Sequence, residues 1–88
     1  MQNTVPTITI NVAELYAKDE TALLVNLPEY ERKAVAQLPP DTVVDVCLTG
    51  GGPIWLYLRL AHVLHGLVRV LSYSAPAVGK VIIFNHTS

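Results

Sequence analysis

From Val5 to Val12 polar and apolar positions alternate, Thr7, Thr9 and Asn11 against Ile8, Ile10 and Val12, the period-two pattern of a half-buried strand. The polar stretch Ala17-Lys18-Asp19-Glu20 turns the chain, and the apolar run Ala22 to Leu27 predicts a second strand, antiparallel to the first. Pro28 and the following Glu29-Tyr30-Glu31-Arg32-Lys33 predict a helix to about Gln37, with acids in the first turn where the helix dipole favours them. Pro39-Pro40 stops it. Thr42 to Leu48 is almost wholly apolar, which predicts a central strand covered on both faces. Three glycines and a proline follow, then a helical pattern from Pro53 to His65, closed near Gly66 in a position suited to a C-cap. Val68 to Tyr73 reads as a strand, Ser74 to Gly79 as a turn and Lys80 to Asn85 as a last strand running into His86. The order β-β-α-β-α-β-β predicts one α/β domain with a mixed sheet, and the passage from Thr42 to Tyr73 predicts a right-handed crossover between parallel neighbours.

The stretch Thr49-Gly50-Gly51-Gly52-Pro53-Ile54-Trp55 is the candidate site. Strand, glycine turn and helix start come together there; glycine lets the backbone approach another molecule, and the free N–H groups of a helix start favour an anion. The turn has neither the lysine of a P-loop nor the GxGxxG of a dinucleotide fold. At about 100° per residue, Leu56, Leu60, Val63 and Leu64 gather on one side of the following helix, with Tyr57 at the border. Trp55, Arg59 and His62 line the opposite side, flanked by Leu58 and His65. A cation, imidazoles and an indole suit a ligand made of phosphates and bases; the plainer alternative is a solvated face with an interface tryptophan. Ser74 falls near the same strand ends as the glycines, the edge at which open α/β sheets bind ligands.

Composition narrows the partners. Half the 88 residues are hydrophobic (51%) and only 15% are charged, against about 25% in an average soluble domain, which predicts that part of the surface is covered in an oligomer. A net charge of −1 argues against broad electrostatic binding to long nucleic acid. Cys47 is the only cysteine, read as a buried structural thiol, so there is no disulfide framework and no CxxC metal site. No signal segment opens the sequence, and the apolar helix is too short to span a membrane; a cytoplasmic protein is expected. His62, His65 and His86 lack an acidic or thiol ligand at metal-site spacing, and Ser72 or Ser74 lacks a histidine with an acid behind it. General acid–base work by His65 or His62 on a bound phosphodiester is the more plausible chemistry, because RNA-type cleavage needs only its own 2′-hydroxyl, a proton shuttle and charge stabilisation.

Gly50-Gly51-Gly52-Pro53-Ile54-Trp55-Leu56, followed by Ala61-His62-x-x-His65, resembles the small CRISPR-associated ring nuclease family. That family is known for a GxGPIWL motif, an AHxxHH-like helix, a YDPRLG-like turn and a closing strand that ends in S-H. The likeness covers residues 41–88; the first half fits by element order alone. It implies a dimeric, Rossmann-like domain that binds cyclic tetra-adenylate between two stacked dimers, one face from each, so that ligand and protein build head-to-tail filaments. By matching position, Gly50 to Gly52 are the ligand-facing turn, His62 and His65 the helix histidines, the second linked to catalysis, and His86 the histidine closing the last strand. Thr49, Trp55, Arg59 and Ser74 complete the expected ligand set. The sequence departs from the family after Tyr73. The family's Asp, part of a manganese-dependent cleavage machinery, is Ser74 here, and no Arg follows two residues on. No cofactor or metal is therefore expected. Two functions follow: sequestration of cyclic tetra-adenylate, a sponge that works by stoichiometry, or metal-independent cleavage to linear di-adenylates with His65 or His62 shuttling a proton.

Overall fold

The computed structural model describes residues 5–19 and 22–86. Strand β1 (Thr7–Asn11) runs into a 3-10 segment (Val12–Asp19), kinked at Tyr16. A short 3-10 turn (Leu24–Asn26) leads directly into helix α1 (Leu27–Val35). Strand β2 (Asp45–Thr49), helix α2 (Ile54–Leu64), strand β3 (Val70–Ala75) and strand β4 (Gly79–Asn85) complete the chain. The sheet order is β1-β2-β3-β4; β1, β2 and β3 are parallel and β4 is antiparallel to β3. The α/β class and the mixed sheet are thus as the sequence predicts, and no described helix is long and apolar enough to cross a membrane.

The element order differs in one place. The run Ala22 to Leu27 forms no strand, so the order is β-α-β-α-β-β. The reason lies in its neighbours. Leu23, Leu24 and Val25 are exposed in succession, so the run buries no alternating face, and Pro28 takes the first turn of α1, where its fixed φ favours helix. The residues before it are drawn into a helical entry, pinned where Leu23 N–H donates to the buried Tyr30 hydroxyl at 2.9 Å. The polar stretch read as a turn continues the 3-10 segment through Asp19, and its last residue, Glu20, lies outside the described residues.

Both crossovers step the sheet in the same direction, which lays α1 and α2 side by side on one face. Ile10, Val46, Leu48 and Leu71 from the sheet meet Leu56, Leu60 and Leu64 from α2 and Tyr30 and Ala34 from α1, all buried. The opposite face of β2 has no helix over it: Asp45, Cys47 and Thr49 are half-buried there. Two corrections follow. The apolar run is central in the sheet but covered on one face only, and the Cys47 thiol is half-buried. Ser72, its neighbour across the sheet, is buried and donates to the Val46 carbonyl at 3.4 Å. Gly66 is not a left-handed cap either, since among the described glycines only Gly50 and Gly79 have positive φ. The helix instead tightens as it ends, with His65 N–H bonding His62 at 3.3 Å and Leu67 N–H bonding Leu64 at 2.9 Å. Gly79, at φ +83°, closes the short β3–β4 hairpin.

One tie fixes the lower edge of the sheet. The Arg69 guanidinium donates to both Asp45 carboxylate oxygens at 3.0 and 2.8 Å, joining the starts of β2 and β3. That hydrogen bond holds the Asp45 carboxyl below its ordinary value, against an opposing effect of burial. A folded-state value below the unfolded one gives stability that is present above about pH 4 and fades as the pH falls through the folded value. Asp45→Asn is expected to lower Tm by a few degrees at neutral pH and to narrow that gap progressively below about pH 4, read by thermal melts across the acid range.

Candidate functional site

The three glycines leave β2 at the C-terminal edge of the parallel strands. Gly50 takes φ +88°, and a Cβ built there would lie 2.1 Å from Asn11 Oδ1. That oxygen is engaged: it accepts the Ala13 N–H at 3.0 Å, fixing the exit from β1 beside the turn. Two tyrosines hold the turn from either side. The Tyr16 hydroxyl donates to the Gly51 carbonyl at 2.7 Å, and the Tyr57 hydroxyl donates to the Gly50 carbonyl. Each ring is braced edge-on by another, Tyr16 by Tyr30 at 6.0 Å and Tyr57 by Tyr73 at 5.0 Å. Burial, with the neighbouring Tyr73 and Tyr16 phenols, pushes the Tyr57 hydroxyl up to about 12, so it remains a donor throughout the neutral range.

With two carbonyls occupied by tyrosines, the turn cannot offer those oxygens outward. Gly51 and Gly52 are exposed, and α2 begins at Ile54 without a side-chain cap, leaving its first N–H groups to solvent or to an acceptor. A Cβ at Gly51 would meet nothing within 4 Å, whereas one at Gly52 would lie 3.0 Å from Val12. The edge therefore presents backbone donors at a helix start, the chemistry of an anion site. Thr49 and Ser74 stand at the ends of β2 and β3 on the same edge, Thr49 half-buried and Ser74 exposed.

The other candidates lie elsewhere. Trp55 is half-buried against the core, and the Arg59 guanidinium sits 3.6 Å from Glu31 of α1. This side of α2 therefore faces α1, and the stripe of Trp55, Arg59 and His62 is not one free surface. Arg59 and His62 are nevertheless both exposed, Arg59 at the seam with α1 and His62 in the last turn. His65 follows at the C-terminal end of α2, and its Nε2 lies 3.2 Å from His86 Nε2. The two rings meet edge-on at 4.7 Å, and Phe84 packs on the His65 ring at 5.0 Å. His86 is anchored there because its N–H donates to the Arg69 carbonyl at 2.8 Å. An open depression of about 480 Å³ beside the pair is lined also by Asp41 and Arg69.

This pair lies at the N-terminal edge of the parallel strands, at the far end of α2 from the glycines. Eleven helical residues at about 1.5 Å each separate the two ends by roughly 16 Å. The glycine turn and the histidine pair thus stand at two ends of one domain. Among the described residues no group of three or more His, Cys, Asp or Glu could hold a metal. Sequence reasoning did not find the two tyrosines. Tyr57 read as the border of the packing face, and Tyr16 lies 35 residues from its acceptor, a contact no local pattern announces. Asn11, a short polar side chain at a strand end, did carry a signal of its own.

Residues 25–88 match the protein family described as CRISPR-associated protein (Cas_csx3). No curated protein and no solved structure matches the chain. The matched span holds α1, β2, α2, β3 and β4, the elements that carry the glycine turn at one end and the histidine pair at the other. The chain belongs to the Cas_csx3 family of CRISPR-associated proteins.

Proposed function

We propose that the chain binds cyclic tetra-adenylate, the second messenger of type III CRISPR defence, between two stacked homodimers in the cytoplasm and lowers its free concentration by sequestration. The observation that carries this reading is the glycine turn, held by Tyr16 and Tyr57 so that donors and a helix start are offered at an exposed edge. A ring of phosphates needs such donors, and its symmetry suits a two-fold dimer. The histidine pair at the opposite end supports the stacked arrangement, because head-to-tail stacking on a ligand uses a different surface on each side. Repetition of that contact gives a head-to-tail filament. A net charge of −1 favours this small ligand over long nucleic acid.

The residues present do not fit a resident manganese ion. Ser74 offers a hydroxyl where the motif of the resembling family has an acid, and no described cluster of ligands replaces it. No step here runs through a metal. A second reading, favoured by the His65–His86 contact, is metal-independent cleavage. At two opposite linkages of the ring a ribose 2′-hydroxyl attacks the adjacent phosphorus and the 5′-oxygen leaves with a proton, so that two linear di-adenylates with cyclic phosphate ends result. One imidazole would take a proton and the other give one, a role worth about 10²–10⁴ in rate.

The test is incubation of the purified protein, in excess and in EDTA, with radiolabelled cyclic tetra-adenylate, followed on native and denaturing gels. Sequestration gives a native shift and an intact ring over hours, with the shift weakened and the ring still intact in His65→Ala. Conversion to linear di-adenylates that His65→Ala slows at least a hundredfold establishes the second reading instead. Neither shift nor cleavage removes the ligand from consideration.

A further inference from the structure

The strand register brings four polar side chains into one row. Ile10, Val46, Leu48, Leu71 and Tyr73 face the helices, so Asn11, Thr49 and Ser74 point the other way, onto the sheet face that no helix covers. Asn11 lies opposite Thr49, and Thr49 follows the Leu48–Tyr73 pair, which sets it level with Ser74. Ser74 in turn lies opposite Lys80. At about 4.8 Å between strands the row spans roughly 14 Å. An amide, two hydroxyls and an ammonium thus stand at the C-terminal edge that carries the glycine turn.

Lys80 joins this row through an irregularity in the ladder. Leu71 pairs with Phe84, but the register slips by one residue before Ser72, which pairs with Ile82. A regular ladder would set Ser74 against Val81 and turn Lys80 toward the helix face; the slip exchanges the two. Gly79, at φ +83°, closes the hairpin immediately before Lys80 and keeps it at that edge. The other described cations are occupied. Arg32 pairs with Glu29, Arg59 with Glu31 and Arg69 with Asp45, and the Lys33 ammonium reaches the Leu15 carbonyl at 3.5 Å. Lys80 is exposed and makes no hydrogen bond or ion pair among the described residues. Its charge is felt at Asp45 on the same face, a carboxyl held down first by its hydrogen bond with Arg69.

We propose that Lys80 is the residue that neutralises the phosphates of the bound ring, with the Ser74 and Thr49 hydroxyls as donors beside it. The ligand then lies across the glycine turn and the open-face row together. The identity of the ligand rests on the function proposed above; the row does not. The turn offers neutral N–H groups alone, and a charged donor holds an anion about twice as strongly as a neutral one. On a chain of net charge −1, with no general attraction for anions, the position of an uncompensated ammonium decides where a phosphate settles.

The test is equilibrium dialysis of radiolabelled cyclic tetra-adenylate against the full chain at several salt concentrations, with Lys80→Gln, Lys80→Arg and Arg32→Gln. Lys80→Gln is expected to weaken affinity by about tenfold or more and to flatten the slope of log K against log salt by roughly 0.7 for each ammonium in contact. Its Tm stays within a degree or two of wild type, as expected of an exposed side chain. Lys80→Arg stays within about threefold of wild type, since either cation suits a phosphate. Arg32→Gln makes the same change in net charge on α1 and leaves affinity and slope as they are. Wild-type affinity and slope in Lys80→Gln, an equal loss in Arg32→Gln, or a Lys80→Arg variant as weak as Lys80→Gln overturns the proposal while the ring remains the ligand. If the wild type does not bind the ring, the functional reading fails and pyrophosphate decides the row, followed by backbone amide NMR shifts of the full chain. Shifts at Ser74 and Lys80 that vanish in Lys80→Gln uphold it; no shift in the wild type overturns it.

Discussion

Gly50→Ala is expected to lower Tm by about 8–40 °C and to abolish capture of cyclic tetra-adenylate, whereas Gly51→Ala one residue on leaves Tm within a degree or two. Two costs add at Gly50. A side chain held at φ +88° costs about 1–2 kcal/mol. The new methyl group also falls on Asn11 Oδ1, which can swing aside only by releasing the Ala13 N–H, at about 1–3 kcal/mol for an orphaned donor. At about 4–8 °C per kcal/mol for a domain of this size, the sum gives the stated range. Gly51 has neither burden, since its Cβ would enter open space. Paired thermal melts settle the stability half, and native gels below the melting temperature settle the binding half. A Gly50→Ala melt within 3 °C of wild type would falsify the claim that this turn is locked.

Replacing both clamping tyrosines, Tyr16→Phe with Tyr57→Phe, is expected to weaken ligand affinity at least tenfold while the fold survives. Each hydroxyl contributes about 0.5–1.5 kcal/mol through its bond to a glycine carbonyl. Loss of both frees the carbonyls to turn outward, toward the phosphates, and a single decade of affinity corresponds to only about 1.4 kcal/mol. Tm should fall by about 4–24 °C, with the rings still packed on Tyr30 and Tyr73. Tyr57 adds a signature in pH. Its folded value is raised to about 12, so the stability it confers is complete below its ordinary value near 10 and is lost as the pH climbs toward 12. Tyr57→Phe should remove that part of the alkaline loss, visible in melts from pH 9 upward. Unaltered affinity in the double variant refutes the clamp, and an unaltered alkaline limb refutes burial of the Tyr57 hydroxyl as the source of that loss.

What the sequence made legible was whatever depends on near neighbours. Alternation from Val5 to Val12, the apolar run from Thr42 to Leu48 and the glycine–proline boundary at Pro53 are local patterns, and each announces an element that forms, the strands being shorter, Thr7–Asn11 and Asp45–Thr49. The run from Ala22 to Leu27 is local too, but its composition suits helix and strand alike; Pro28 and the absence of a face to bury decide it. Helical spacing correctly aligned Trp55, Arg59 and His62. It could not show that α1 would stand beside them and occupy Arg59 with Glu31. The histidines were the harder case. Their motif positions are close in sequence to the glycines, yet a helix of eleven residues separates its two ends as surely as a domain boundary would.

That separation has a kinetic consequence. A rigid helix with the glycine turn at one end and the histidine pair at the other cannot bring both to a single bound ring within one chain. Any event needing both is at least second order in protein, so its rate per molecule falls on dilution even when ligand is saturating. An event served by one end alone keeps the same rate per molecule at every concentration.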